Sequence, residues 1–292
     1  MIQQIFAVVA PVLLIAALGY VWDRKGLPFD TSMVSYLSSN IGAPCLLLST
    51  LLTRRPDPTA MLAMMGATTA MMVITGAVGY AVLRGLRQPM RVYLAAMMFP
   101  NSGNMGIPLT MFAFGAEGLV AAIAVFATIS LFQFSLGISL ASGRFSARDI
   151  LSSPVLWSMA AGMILLIFDI SLPAFLNNTV NVLAGLVIPL MLLSLGTSLA
   201  RLRIKSLGTG LAFAGARIGG GFIVAAALAH LMGLSGAARG ALIIQSSMPT
   251  AVFNYLFALR YDNQPAEVAG IVVISTVVSF ATLPLLMAYG LG

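Results

Sequence analysis

The feature that most restricts the fold is a break inside a strongly apolar segment. Residues 92–114 have the composition of a membrane-spanning helix, but their centre, residues 100–108, reads PNSGNMGIP. Proline lacks the amide hydrogen that a helix interior needs, and glycine relaxes the backbone. In hydrocarbon the released backbone groups need partners, so broken helices occur only where they are buried in protein or line a wet cavity. The sequence therefore predicts an interrupted helix within the membrane.

The rest of the chain is also suited to a bilayer. Of its 292 residues, 60% are hydrophobic and 8% are charged, whereas a soluble domain has about 25% charged residues. A membrane crossing needs about 20 mostly apolar residues. Ten segments meet this requirement: 3–22, 32–52, 59–83, 90–114, 118–141, 150–170, 178–200, 207–231, 237–259 and 267–290. The fold class that we predict is an all-α polytopic membrane protein with ten transmembrane helices.

A second break lies in the ninth segment, around Pro249. The two halves of the chain also share an ordered series of residues at offsets of 143 to 150: Pro11 with Pro154, Pro44 with Pro189, Arg91 with Arg239, Pro100 with Pro249, Glu117 with Glu267, and Thr128 with Thr276. We predict two five-helix repeats, residues 1–145 and 146–292. Because five is odd, the second repeat is expected to be inverted. Inverted repeats with broken helices in corresponding positions, here helices 4 and 9, are typical of secondary transporters.

The basic residues predict an orientation in the membrane. Eleven of them fall in one set of loops: Arg24, Lys25, Arg84, Arg87, Arg91, Arg144, Arg148, Arg201, Arg203, Lys205 and Arg260. The opposite loops hold Arg54, Arg55 and Arg239. The positive-inside rule then puts both termini outside the cytoplasm of a multi-pass protein in the cell (inner) membrane. These charges form no basic stripe with interleaved aromatics, so we expect no nucleic-acid partner.

If the two broken helices cross, the N-terminal ends of their half-helices converge on one point. Such ends carry partial positive charge and unpaired N–H groups, which favour an anion. A carboxylate fits there without a lysine or arginine beside it.

At these breaks the chain resembles the auxin efflux carrier family, which includes plant auxin exporters and bacterial carriers assigned to organic acids. The resemblance rests on Pro100-Asn101 and Met105-Gly106-Ile107-Pro108-Leu109 in the fourth segment, and on Gln245, Pro249, Ala258, Tyr261, Pro265 and Pro284 near the C-terminus. It implies a scaffold (helices 1–2 and 6–7), a transport region (helices 3–5 and 8–10), an elevator mechanism and commonly a homodimer. It also implies that an asparagine matching Asn101 holds the carboxylate. Plant members tend to have a proline at the position of Asn254 and an acidic residue in the third segment, so a small dicarboxylate is at least as well supported as the plant substrate.

Several residues at the breaks are candidates for the substrate site. We expect Asn101 both to cap the broken backbone and to bind substrate, and Asn104 mainly to cap. Gln245, Thr250 and Asn254 have the same two alternatives, and Arg217 is either an anion-attracting charge within a span or a packing residue. The residues expected to break the helices are Pro100, Gly106, Pro108 and Pro249, chiefly Pro108 and Pro249.

The leading functional hypothesis is a carrier of small organic carboxylate anions that works by alternating access. The alternatives are a sodium-coupled symporter of the bile-acid-transporter type and a transporter-like membrane sensor. Neither break has an Asp or Glu nearby, which disfavours sodium and proton coupling. With one His, one Cys and no mid-span pair of carboxylates, we predict no enzyme, no catalytic residue, no metal site and no cofactor.

Overall fold

A computed structural model describes residues 2–144, 151–202 and 206–291. Within these residues the chain is helical, apart from connections and an isolated β-bridge between Pro100 and Thr250. The first helices are α1 (Ile2–Arg24), α2 (31–54, with a π-helical turn at Ser38–Gly42), α3 (Pro58–Gly85), α4 (Met90–Met98), α5 (102–114) and α6 (116–142). The remaining helices are α7 (Pro154–Ile167), α8 (Ala174–Arg201), α9 (Leu207–Leu231), α10 (Gly236–Ser246), α11 (Val252–Arg260) and α12 (Pro265–Leu291).

These helices confirm a polytopic, all-helical membrane protein within the described residues. Six helical stretches are long and apolar enough to cross a bilayer: Ile5–Arg24, Pro58–Gly85, Ser102–Ser142, Ala174–Arg201, Leu207–Leu231 and Pro265–Gly290. The stretch Ser102–Ser142 is divided at Gly115, whose φ of 61° and ψ of −138° suit glycine and reverse the chain between α5 and α6. The arrangement as ten spans in two inverted halves, and the division at residue 145, stay predictions.

Each of the two breaks contains a proline. Pro100 disfavours the α conformation for the residue before it, and Phe99 is extended, with φ −95° and ψ 107°. Helix α4 therefore ends at Met98. In the second break, α10 ends at Ser246 and α11 starts at Val252, with Pro249 between them.

The two broken segments bind each other through their backbones. The Asn101 N–H donates to the Pro249 carbonyl at 2.7 Å, and the Ala251 N–H donates to the Phe99 carbonyl at 3.0 Å. This register puts Pro100 opposite Thr250. The sequence comparison of the two halves pairs Pro100 with Pro249, so the structural pairing is shifted by one residue. It also gives Asn104 and Asn254 the same offset of 150 residues.

Pro108 lies inside α5 and not at the interruption, which the structure places at residues 99–101. Helix α5 begins with a π-helical turn at Ser102–Gly106, and Pro108 follows in the next turn. Because Pro108 has no N–H, the Asn104 carbonyl cannot have its usual α-helical partner. Single π turns of this kind often occur at functional sites.

Long-range side-chain hydrogen bonds fall within two groups of helices. In the first group, α1, α2, α7 and α8, the Ser49 hydroxyl donates to the Asn181 side chain at 2.6 Å, and the Arg201 Nε donates to Asp23 at 2.6 Å. The second group, α3 to α6 and α9 to α12, contains the bonds around the breaks that are described below. Each of these bonds between described residues lies within one group.

Candidate functional site

The C-terminal end of α4 is capped by side chains from the second broken segment. A helix leaves its last four carbonyls without intrahelical partners, and buried carbonyls need replacements. The Thr250 hydroxyl donates to the Ala96 carbonyl at 2.9 Å, and the Asn254 amide donates to the carbonyls of Ala95 at 3.2 Å and Phe99 at 3.3 Å. Thr250 and Asn254, both predicted as substrate ligands, thus bind the backbone of α4.

Arg217 binds the remaining carbonyls from α9. Its Nη1 donates to Met97 at 2.7 Å and to Met98 at 3.2 Å, its Nε donates to Met248 at 3.3 Å, and its Nη2 donates to Ser246. The side chain is only 1% exposed. The guanidinium therefore lies at the C-terminal ends of α4 and α10, where the helix dipole favours a cation.

Gln245 holds three helices together at the base of the break. Its Nε2 donates to the Ala122 carbonyl of α6 at 2.9 Å, and its Oε1 accepts a hydrogen bond from the Ser102 hydroxyl of α5. A Cβ added at Gly106 would lie 3.0 to 3.2 Å from the Gln245 side chain, so the glycine allows α5 and α10 to approach closely. The fully buried Gln245 amide is satisfied by protein groups.

A polar but uncharged cavity lies on the face of the breaks that is away from Arg217. The first turn of α5 supplies Asn101 to Asn104, and α11 supplies Val252 and Phe253. The other walls come from α2, α6 and α8, through Ser35, Ser38, Ser39, Phe126, Ser130, Gln133, Met191 and Ser194. Of the described residues that line it, none has a charged side chain.

Two helices begin at this cavity with free amides. The backbone N–H groups of Gly103 and Asn104 in α5, and of Val252 and Phe253 in α11, have no acceptor within the described part of the chain. First-turn N–H groups and the positive end of the helix dipole together favour an anion.

Asn101 and Ser38 add buried polar groups to the same cavity. Asn101 is 4% exposed, and its amide nitrogen has no hydrogen-bond partner in the described residues; the same is true of the buried Ser38 hydroxyl. A buried polar group left without a partner costs about 1–3 kcal/mol. A ligand that accepts hydrogen bonds would remove this cost.

The cavity opens towards the loops that are rich in basic residues. An adjoining cavity shares Ser35, Ser39, Phe134, Val155, Phe253 and Leu256 with the first. It extends to Ser152 and to Arg260, whose exposed side chain places a cation at the mouth. Arg148, Arg203 and Lys205, which the sequence predicts on this side, lie outside the described residues.

The structure thus separates the six predicted substrate residues into two sets. Asn101 and Asn104 line the cavity, whereas Gln245, Thr250, Asn254 and Arg217 make hydrogen bonds that hold the breaks together. Sequence reasoning did not include the serines of α2 or the polar residues Ser130, Gln133 and Ser194. The run Ser38-Ser39-Asn40 inside an apolar segment could have indicated that α2 lines the cavity, because polar residues within a span commonly face a cavity.

Residues 2–144, 151–202 and 206–291 bring no three His, Cys, Asp or Glu side chains together in a way that could hold a metal ion.

Comparison with known proteins identifies the family. A sequence profile described as "Membrane transport protein" matches residues 4–144 and 137–287. An uncharacterized transporter from Methanothermobacter thermautotrophicus is 29% identical over 294 residues, which cover 95% of each chain. Another uncharacterized transporter, from Methanocaldococcus jannaschii, is 30% identical over 202 residues, or 64% of each chain.

These matches confirm the resemblance that the two proline breaks indicated, and they agree with a protein that is embedded in the membrane and moves a substrate across it. The chain therefore belongs to the membrane transport protein family and is a transporter, not an enzyme.

Proposed function

We propose that the protein carries small organic carboxylate anions and binds them in the cavity where α5 and α11 begin. The observation that carries this proposal is the set of unpartnered donors there: four backbone amides and the buried amide of Asn101. Charge-assisted hydrogen bonds to such donors contribute about 1.5–3 kcal/mol each. A carboxylate has two oxygens that can accept several of them at once.

The electrostatics of the cavity support an anion and not a cation. The part of the chain that the structure describes contributes no Asp or Glu to its lining, and the ends of α5 and α11 that face it are N-terminal. Arg260 at the mouth would attract an anion from solution. Because the lining itself has no basic side chain, the anion is held by dipoles and not by an ion pair, which favours release as well as binding.

We also propose that the substrate crosses by alternating access. The long-range side-chain hydrogen bonds described above, between residues that the structure describes, each lie within one group of helices, so a sliding movement between the groups would leave those bonds intact. The groups correspond to the scaffold and transport regions that the family resemblance implies. The profile matches residues 4–144 and 137–287, and these two matches overlap at 137–144, just before the position at which the two inverted repeats are expected to join.

The orientation and assembly are proposals as well. With the basic loops in the cytoplasm, both termini lie outside, and the open cavity faces inward in the cell membrane. A homodimer joined through the scaffold group is the assembly that the resemblance supports. The alternatives are sodium-coupled symport and a sensing role. Measurements of ligand binding with and without sodium, and of flux, distinguish them from a carrier.

The test is thermal stabilisation of the purified protein by acetate, benzoate, succinate and citrate, with acetamide and benzamide as uncharged controls. A ligand that binds only the folded state raises its stability, by about 2.7 kcal/mol at one hundred times its Kd. We expect at least one carboxylate to stabilise the protein equally in sodium and in choline chloride, and its amide analogue to have no effect. Flux of that carboxylate in proteoliposomes then separates a carrier from a sensor.

Asn101→Ala locates the binding site. It removes an unpartnered amide, so we expect normal folding and loss of carboxylate stabilisation. Asn178→Ala, at an exposed position on α8, is the matched control and should bind as the wild type does. Undiminished binding by Asn101→Ala would show that the carboxylate lies elsewhere, and stabilisation only in sodium would favour the symporter.

A further inference from the structure

Four backbone carbonyls converge on one buried point behind the substrate cavity. They belong to Met97, Met98, Ser246 and Met248, and each accepts a hydrogen bond from the Arg217 guanidinium. Arg217 has no carboxylate partner within the described residues. Its positive charge is therefore balanced by carbonyl oxygens alone.

The location of these carbonyls explains why a cation is needed there. Met97 and Met98 end α4, Ser246 ends α10, and Met248 follows in the break. Two negative helix ends therefore face each other at the crossover, each equivalent to about half an elementary charge. Clustered carbonyl oxygens in a buried site are also the ligands that hard cations prefer. Without a positive charge, these oxygens would be buried, mutually repelling and unpaired.

The chain is built to bring Arg217 to this point. Gly221, one turn further along α9, lies against the break: a Cβ there would be 1.9 Å from the Ser246 carbonyl oxygen and 2.6 Å from Arg217 Nη2. Any larger residue would push α9 away from the carbonyls. The close approach and the buried charge are therefore parts of one arrangement.

We propose that the Arg217 guanidinium is a built-in counter-cation that occupies a carbonyl site for a monovalent cation. A carrier with this arrangement has no need to recruit a cation in order to hold an anion on the other face of the breaks. The part that concerns anion binding rests on the proposed function; the cation site itself does not.

Removing the charge should reveal the site. Arg217→Ala leaves four carbonyls and room for an ion, so its thermal stability should rise when choline is replaced by sodium, lithium or guanidinium at constant ionic strength. Urea at the concentration used for guanidinium is the control for denaturing effects. Wild-type stability should be the same in sodium, lithium and choline, because its own guanidinium already fills the site.

Two further variants separate charge from packing. Arg217→Lys keeps the charge and should bind carboxylate without sodium, whereas Arg217→Met fills the space without charge and should gain nothing from any cation. In Arg217→Ala we expect benzoate or succinate affinity to be about tenfold lower in choline than in sodium. A purely structural role for Arg217 would lower stability but would not make affinity depend on the cation.

The outcomes are decisive in either direction. Equal stability and affinity of folded Arg217→Ala in all the salts would overturn the proposal. If Arg217→Ala cannot be purified in any salt, the other two variants provide the test. Carboxylate binding by Arg217→Lys that requires sodium would contradict the proposal. Carboxylate binding by Arg217→Lys but not by Arg217→Met would support it. If no carboxylate stabilises the wild type, the proposed function fails, but cation-dependent melting of ligand-free Arg217→Ala still tests the site.

Discussion

Asn101 and Asn254 are both almost completely buried at the crossover, but their side chains have different surroundings. The Asn254 amide donates to the Ala95 and Phe99 carbonyls, and its Oδ1 accepts from Gln133 at 3.4 Å. The Asn101 amide nitrogen has no hydrogen-bond partner among the described residues and lies at the cavity. One asparagine thus completes the fold, and the other is free to bind a ligand.

Substitution of the two residues should therefore give opposite results. Asn254→Ala leaves buried carbonyls with fewer donors, and we expect it to destabilise the protein by about 1–3 kcal/mol. The folded fraction should keep most of its carboxylate affinity, whereas Asn101→Ala should lose affinity and keep stability. Melting temperature and ligand-induced shift, measured on both variants, check this; an equal loss of affinity in both would place Asn254 at the ligand as well.

Sequence reasoning identified the residues of the crossover more reliably than their roles. Polar residues beside a proline in an apolar segment can be recognised from composition, and all six predicted substrate residues lie at or near the breaks. Whether such a residue faces a carbonyl or a cavity depends on which helix packs behind it. That information is absent from the spacing of Gln245, Thr250 and Asn254, and it became clear only from their hydrogen bonds.

At the scale of the helices, the breaks depend on two proline positions and on close packing by α9. Pro100 makes Phe99 extended, which leaves carbonyls at the end of α4 without helical partners. Arg217 can reach these buried carbonyls because Gly221 allows α9 to contact the backbone at Ser246. The position of the first interruption was harder to predict than its existence. Pro108 and Pro100 are both helix breakers by type, but a π turn accommodates Pro108 within α5.

Gly221→Ala should damage the arrangement, and Gly220→Ala should not. The added methyl group at 221 would collide with the Ser246 carbonyl, and overpacking of this kind costs about 1–3 kcal/mol or more. At Gly220 a Cβ would meet nothing within 4 Å, and alanine is the better helix former. Comparison of the melting temperatures of the two variants is the measurement, and similar values would show that α9 can move away from the break at little cost.

At the scale of the whole molecule, the hydrophobic pattern predicted the class of protein and most helix bounds. It did so because hydrocarbon requires long apolar helices and leaves few other solutions. The cavity was less predictable, since its walls come from α2, α5, α6, α8 and α11, and no short motif contains them together. The division of the helices into two groups could be predicted only from the family resemblance and not from the hydrophobic pattern.

The buried charge of Arg217 has an electrical consequence. If the helices around the breaks move as one body, each empty carrier takes one positive charge through part of the membrane field, and a bound monocarboxylate cancels it. Displacement of one charge across the full field changes the free energy by about 2.3 kcal/mol per 100 mV. A negative interior would then draw the empty carrier inward, while the loaded carrier would scarcely respond to voltage.

Transport measurements in proteoliposomes with a potassium diffusion potential can test this consequence. For a monocarboxylate such as benzoate, exchange uses only loaded carriers, so its rate should be nearly independent of voltage. Net flux requires the empty carrier to return across the membrane, so its rate should depend on voltage. Equal voltage dependence of exchange and net flux would mean that Arg217 does not travel. If the expected difference is found, the single charge that holds the crossover together also makes the membrane potential the force that resets the carrier.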